Sequence, residues 1–139
     1  MIIRKENNMT TLRGIATMSI WAKDHEAAVT WYSDLLGIEP YFKRPGYAEF
    51  RVGDKQTELG IIDHNYAPHL AFPGKPSGIV AYWHVDDLEK VYKDVLRKGA
   101  TELQAPEDRG HGFVTATVVD PFDNILGLMY NPHYVEMSK

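Results

Sequence analysis

The chain has 139 residues, a formal net charge of −4 and no cysteine. That length suits one domain with a real core, and the missing thiols exclude a disulfide framework, thiol catalysis and cysteine-bound zinc. With 44% hydrophobic and 24% charged residues and no stripe of Lys or Arg, the composition argues against disorder and against a nucleic-acid partner.

The opening "MIIRKENNMTTLRG" lacks an apolar stretch of signal-peptide length, and no later run is long enough to span a bilayer. A cytoplasmic protein with no membrane partner is the expectation, with residues 1–10 as a loose tail. A first module is expected over 11–62. A strand ending near Ala22 enters a helix whose N-cap is Asp24, a residue that can accept from free backbone N–H groups. Ala28, Trp31, Tyr32, Leu35 and Leu36 form one apolar helical face, and Gly37 suits the left-handed stop. Three short strands follow, "PYFK", "YAEFRV" and "QTELGII", separated by the turn residues "RPG" and "GDK".

The proline- and glycine-rich stretch 63–78 reads as a linker loop. A second module is expected over 79–131. The strand "IVAYWHV" leads into a helix with Leu88, Val91, Tyr92, Val95 and Leu96 on one face and Gly99 at its end. Asp86 with Glu89 resembles a capping box, and Asp87 is a rival cap. "ATELQ", "FVTATVV" and "NILGLMY" follow, with "APEDRGHG" and "DPFD" read as turns, and 132–139 as a C-terminal tail. The two halves repeat. Ile20–Gly37 overlies Tyr82–Gly99 at an offset of 62, which matches Asp24 with Asp86.

Strand parity separates two faces. Ala16, Met18, Ile20 and Ala22 are uniformly apolar, whereas Ile15, Thr17, Ser19 and Trp21 are mixed. Ala48, Phe50 and Val52 alternate with Tyr47, Glu49 and Arg51. Thr57, Leu59 and Ile61 alternate with Gln56, Glu58 and Gly60. Ile79, Ala81, Trp83 and Val85 alternate with Val80, Tyr82 and His84. The apolar sets should pack under helices. The mixed sets, rich in Trp21, Tyr47, Tyr82 and Phe113, suit a cup for a small molecule better than plain solvent.

The segments "AKDHEAAVTWYSDLLGIEP", "VDDLEKVYKDVLRKGA" and "VVDPFDNILGL" resemble the vicinal oxygen chelate superfamily, the glyoxalase/bleomycin-resistance/dioxygenase group, over most of 11–131. The resemblance implies an α+β fold of two βαβββ modules, with helices on one side of curved mixed sheets that form a cup. It also implies a homodimer, and it aligns Asp24 with Asp87 at an offset of 63. Metal-using relatives place ligands on the first and last strand of each module. Carried over, those positions are Thr17, Glu58, Val80 and Gly127, of which only Glu58 is a strong donor. A divalent ion needs several converging donors, so no metal or other cofactor is expected.

The expected function is therefore a bleomycin-resistance-like protein binding a small, aromatic-containing molecule in a metal-free cup. Thr17, Ser19, Trp21, Tyr47, Arg51, Tyr82, Phe113, Thr115 and Met129 are its expected contacts, with negative potential from Glu49 and Glu58. The alternative is a lyase, isomerase or dioxygenase of the same superfamily, using Glu58 and His84 in proton transfer or an atypical metal site. Each residue has a plainer role available. Glu58 could pair with Arg51, and His84 could bond Asp86, Asp87 or backbone at a strand end. His64, His69 and His111 read as loop histidines, and His25 and His133 as exposed. Asp120 and Asp123 read as turn formers.

Overall fold

In the computed structural model, residues 15–66, 76 and 79–139 are described; the expected N-terminal tail, most of the linker and His69 lie outside them. The first half runs β1 (Thr17–Ala22), α1 (His25–Leu36), β2 (Phe42–Arg44), β3 (Tyr47–Val52) and β4 (Thr57–Asp63), then a 3-10 turn at His64–Tyr66. The second runs β5 (Ala81–His84), α2 (Leu88–Arg97), β6 (Thr101–Gly110), β7 (Phe113–Val119), β8 (Ile125–Tyr130) and α3 (Pro132–Met137). Each half is a four-stranded mixed sheet, in the order β1-β4-β3-β2 and β5-β8-β7-β6. The β1–β4 and β5–β8 pairs are parallel and the rest antiparallel. This is the expected α+β fold of two βαβββ modules.

The caps explain the two offsets of the repeat. Asp24 accepts from Ala27 N–H at 3.1 Å, and Asp87, not Asp86, accepts from Lys90 N–H at 3.2 Å. The helix starts are thus 63 apart. The glycines stay 62 apart because α1 has 12 residues and α2 only 10, with Lys98 intervening before Gly99. Gly37, at φ +70°, takes the left-handed turn that a side chain would resist.

Each helix covers the apolar face of its own sheet. Ala22, Ala28, Val29, Tyr32, Ala48, Phe50, Leu59 and Ile61 form one core. Leu88, Tyr92, Val95, Ala116, Val118, Leu126 and Leu128 form the other. Trp31, Leu35 and Trp83 pack against both, which joins the modules through apolar burial. Polar bonds then fix the joint. Trp31 Nε1–H donates to Lys98 O at 2.7 Å, and Lys98 Nζ meets Asp34 at 2.7 Å. Tyr32 Oη donates to Asp120 Oδ2 at 2.5 Å, and Asn124 Nδ2 donates to Trp21 O at 3.0 Å.

Four expectations need correction. Ile15, Ala16 and Ile79 precede their strands and are exposed, Ile79 at 95%, because pairing begins only at Thr17 and Ala81. "APEDRGHG" is not a turn: β6 continues to Gly110, and only His111 and Gly112, both at positive φ, reverse the chain. His25 is buried, because its Nε2–H reaches across to donate to Ile61 O at 2.9 Å. Residues 132–137 are helical: Asn131 caps the amides of His133 and Tyr134, and Pro132 occupies the first turn, where its missing N–H is harmless.

Candidate functional site

The mixed faces of the two sheets are concave-side candidates, and strand register decides which side chains share them. On the first sheet Thr17 is paired with Glu58, Ser19 with Gly60 and Trp21 with Ile62. Across β3–β4, Arg51 stands opposite Glu58, Glu49 opposite Gly60 and Tyr47 opposite Ile62. Thr17, Ser19, Trp21, Tyr47, Glu49, Arg51 and Glu58 therefore occupy one face, opposite the core residues Leu59, Ile61, Ala48 and Phe50.

The contacts on this face are specific. Thr17 Oγ1 donates to Glu58 Oε1 at 3.0 Å, and Tyr47 Oη donates to Glu49 Oε1. The Tyr47 ring leans over Gly60, where an added Cβ would lie 3.2 Å from it. Burial raises the Tyr47 pKa, and the nearby Glu58 charge raises it further. Arg51 does not pair with Glu58; its guanidinium sits 4.4 Å over the Tyr41 ring. Glu49 and Glu58 make no ion pair with a cation among the described residues. The buried indole N–H of Trp21 has no hydrogen-bond partner among them either.

The second sheet repeats the device with different chemistry. Tyr82 pairs with Gly127 and lies over it, so closely that a Cβ there would be 2.7 Å from Tyr82 Cδ1. Met129 stands between His84 on β5 and Thr115 on β7. Thr115 is buried, Met129 and Phe113 are half-buried, and Phe113 meets His133 edge-on at 5.1 Å. Arg109, which sequence reasoning missed, donates from Nε to Thr115 Oγ1 at 2.9 Å. It hid in a segment read as a turn.

His84 is held on three sides. Asn131 N–H donates to its Nδ1 at 3.1 Å, and its Nε2 lies 3.1 Å from Asp86 Oδ1. An accepting Nδ1 leaves the proton on Nε2, which donates to Asp86. The ring stacks on Tyr134 at 4.6 Å and 14°, and Tyr134 Oη donates to Asp54 Oδ2 at 2.6 Å in the β3–β4 turn of the other module. A cleft of about 200 Å³ lies beside it, lined by Met18, Val52, Asp54, Trp83, His84 and Tyr134 among others. Sequence reasoning missed this strap, although an Asn-Pro pair is a helix-start signal.

Of the four positions that a metal-using relative would fill, Thr17 and Glu58 are brought together. Val80 precedes β5, and Gly127 has Tyr82 as its neighbour. No three His, Asp or Glu side chains converge among the described residues. This donor set does not fit the divalent site of metal-using relatives. Asp120 is a turn former in a strong sense: buried, it accepts from Phe122 N, Asn124 N and Tyr32 Oη.

A pair of βαβββ modules, packed together through α1 and Trp83 and each offering one mixed aromatic face, defines a two-module α+β protein. The chain belongs to the Glyoxalase/Bleomycin resistance protein/Dioxygenase superfamily, whose model matches residues 14–128. A glyoxalase-related enzyme from Fulvimarina pelagi superposes with TM-score 0.72 at 19% identity, over 87% of this chain and 90% of that one. A superfamily member from Sphaerobacter thermophilus gives TM-score 0.69 at 22% identity, over 86% and 98%. The bleomycin resistance determinant encoded on transposon Tn5 gives 0.61 at 27% identity, over 84% and 97%. A 41-residue stretch is 42% identical to the cadmium-induced protein CadI of Mycobacterium tuberculosis, covering 30% of this chain and 27% of that protein. The match thus spans about a quarter of the length of that curated relative.

Proposed function

We propose that this protein binds a small aromatic molecule bearing a positive charge on the mixed face of its first module, without a metal. The observation that carries this is that, among the described residues, Glu49 and Glu58 pair with hydroxyl donors only, from Tyr47 and Thr17, beside the rings of Tyr47 and Trp21. Hydroxyl donors leave a carboxylate charged and still able to accept, so an ammonium group has two partners and the attached ring has aromatic walls. The similarity to the Tn5 bleomycin resistance determinant supports a binding rather than a catalytic role. The geometry of His84 supports the same choice: both ring nitrogens are engaged, and it serves as the anchor of α3 rather than as an acid–base partner for Glu58. The proposal includes a homodimer, the commonest assembly for such a chain, which sedimentation would test.

The test uses 1-naphthylmethylammonium and its neutral alcohol, titrated against the whole chain and read by tryptophan fluorescence. The cation should bind saturably and at least about tenfold tighter than the alcohol, a difference of ~1.4 kcal/mol. Glu58→Gln and Glu49→Gln should each erase most of that preference. Equal binding of both probes, or none, overturns the reading. A near-stoichiometric divalent ion on purified protein, lost in Glu58→Gln, would move the function to metal chemistry.

A further inference from the structure

The second module's mixed face presents a positioned arginine, Arg109, paired with Glu107. We propose that this face is a separate site for an aromatic carboxylate, in which Arg109 takes the carboxylate and Tyr82 takes the ring.

Arg109 is not an ordinary edge-strand cation. β6 pairs with β7 through register shifts between Glu102 and Gln104, between Gln104 and Glu107, and between Asp108 and Gly110. Such irregularities re-aim side chains. Here the result is that Arg109 turns back over the sheet and its Nε is held by Thr115, a buried hydroxyl on the floor of the face. One hydrogen bond to a buried partner fixes the guanidinium plane in a way that a solvated arginine lacks. Among the described residues only Nε and Nη1 are used, Nη1 by Glu107 beside it on the same strand. The remaining N–H groups of the fork keep the planar donor geometry that suits a carboxylate.

The Glu107 pair is exchangeable. Both side chains are well exposed, at 41% for Arg109 and 51% for Glu107, so the pair is screened and weak. A ligand carboxylate that also buries a ring has more to gain from the same donors.

The ring has a place. Tyr82 is 43% exposed, and its ring comes close to Gly127, where a Cβ would lie 2.7 Å from Cδ1. Register puts the row Tyr82–Gly127–Thr117 beside the row His84–Met129–Thr115–Glu107 on the same face. Adjacent strands are about 4.8 Å apart, so β5 and β7 are separated by about 10 Å. That span suits one or two fused rings stacked by Tyr82 with a carboxylate directed at Arg109. Met129 and Phe113 supply apolar wall.

The proposal goes beyond the first-module site and uses a different probe, so each can fail alone. 2-Naphthoate and its neutral isostere 2-naphthamide are titrated against the whole chain by ¹H–¹⁵N NMR, with shifts expected at Tyr82, Thr115 and Met129. Naphthoate should bind about tenfold or more tightly than the amide. Arg109→Gln should remove that difference, and Arg109→Lys, which keeps the charge without the fork, should remove much of it. Glu107→Gln should strengthen naphthoate binding severalfold by releasing the guanidinium. A purely structural Arg109–Glu107 pair predicts the contrary: no preference for the acid, and no gain in Glu107→Gln. Either result overturns the proposal. If Arg109→Gln fails to fold, Glu107→Gln and Arg109→Lys decide it.

Discussion

Tyr32→Phe is the sharpest test of how the two modules are held together. Tyr32 on α1 and Asp120 in the β7–β8 turn are both buried, and the hydroxyl donates to the carboxylate at 2.5 Å. The same carboxylate accepts from Phe122 N at 2.8 Å and Asn124 N at 2.9 Å, and Asn124 in turn donates to Trp21 O in the first module. Removing one hydroxyl therefore leaves buried Asp120 Oδ2 with only the Asn124 Nδ2 donor, at 3.2 Å, among the described residues, and a bond to a charged group contributes about 1.5–3 kcal/mol. We expect a loss near 2 kcal/mol, a fall in Tm of roughly 6–10 °C for a chain of this size.

The pH dependence has a definite sign. Burial raises the Asp120 pKa above its ordinary value, and the bonds from Tyr32 and the turn amides only partly offset this. A carboxyl raised on folding lowers stability as pH climbs above its unfolded pKa, since the native state must then hold an unfavourable charge. Deleting the Tyr32 donor raises that pKa further. The loss in Tyr32→Phe should thus be greater in neutral than in acidic buffer, because the carboxyl takes up its proton as the pH falls. Urea unfolding followed by circular dichroism, with unchanged m, gives both numbers. A loss below about 0.5 kcal/mol, or the same loss at both pH values, would refute the reasoning.

Gly127→Ala should destabilise by about 1–3 kcal/mol, because its Cβ would lie 2.7 Å from Tyr82 and 2.9 Å from the backbone oxygen of Ala81. Gly60→Ala, which meets only the Tyr47 side chain at 3.2 Å, should lose less in the same unfolding assay. His84→Ala removes the stacking partner of Tyr134 and the acceptor of Asn131 N–H, so amide exchange over 131–137 should accelerate while that of α1 holds; equal protection in both proteins would deny the strap. Glu58→Gln should lower the Tyr47 titration midpoint, though not to 10.0, since burial is the larger cause of its rise. The difference in tyrosinate absorbance against Tyr47→Phe measures it.

Much of this was legible in the sequence because short-range rules fixed it. Asp24 and Gly37 bracket a helix by capping chemistry alone, and the alternation of Ala48, Phe50 and Val52 with Tyr47, Glu49 and Arg51 settled that strand's faces without any partner. What failed depended on distant groups. His25 looked exposed because helix-start histidines usually are; only the position of Ile61 O draws it inward. Thr17 and Glu58 were each assignable to a face, but their bond needed the parallel register of β1 with β4. Arg109 was invisible because Pro106, Gly110 and Gly112 read as a loop, whereas bulges let the strand carry Pro106 and Gly110.

Those same bulges have a consequence for self-association. β6 is the outer strand of its sheet, ten residues long and exposed along nearly its whole length, the kind of border onto which another chain could add a strand without limit. Its shifts in register break the regular spacing of free N–H and C=O groups, Pro106 removes one donor outright, and Glu102, Glu107, Asp108 and Arg109 put charge along it. Open-ended strand-by-strand growth at this border is thereby disfavoured.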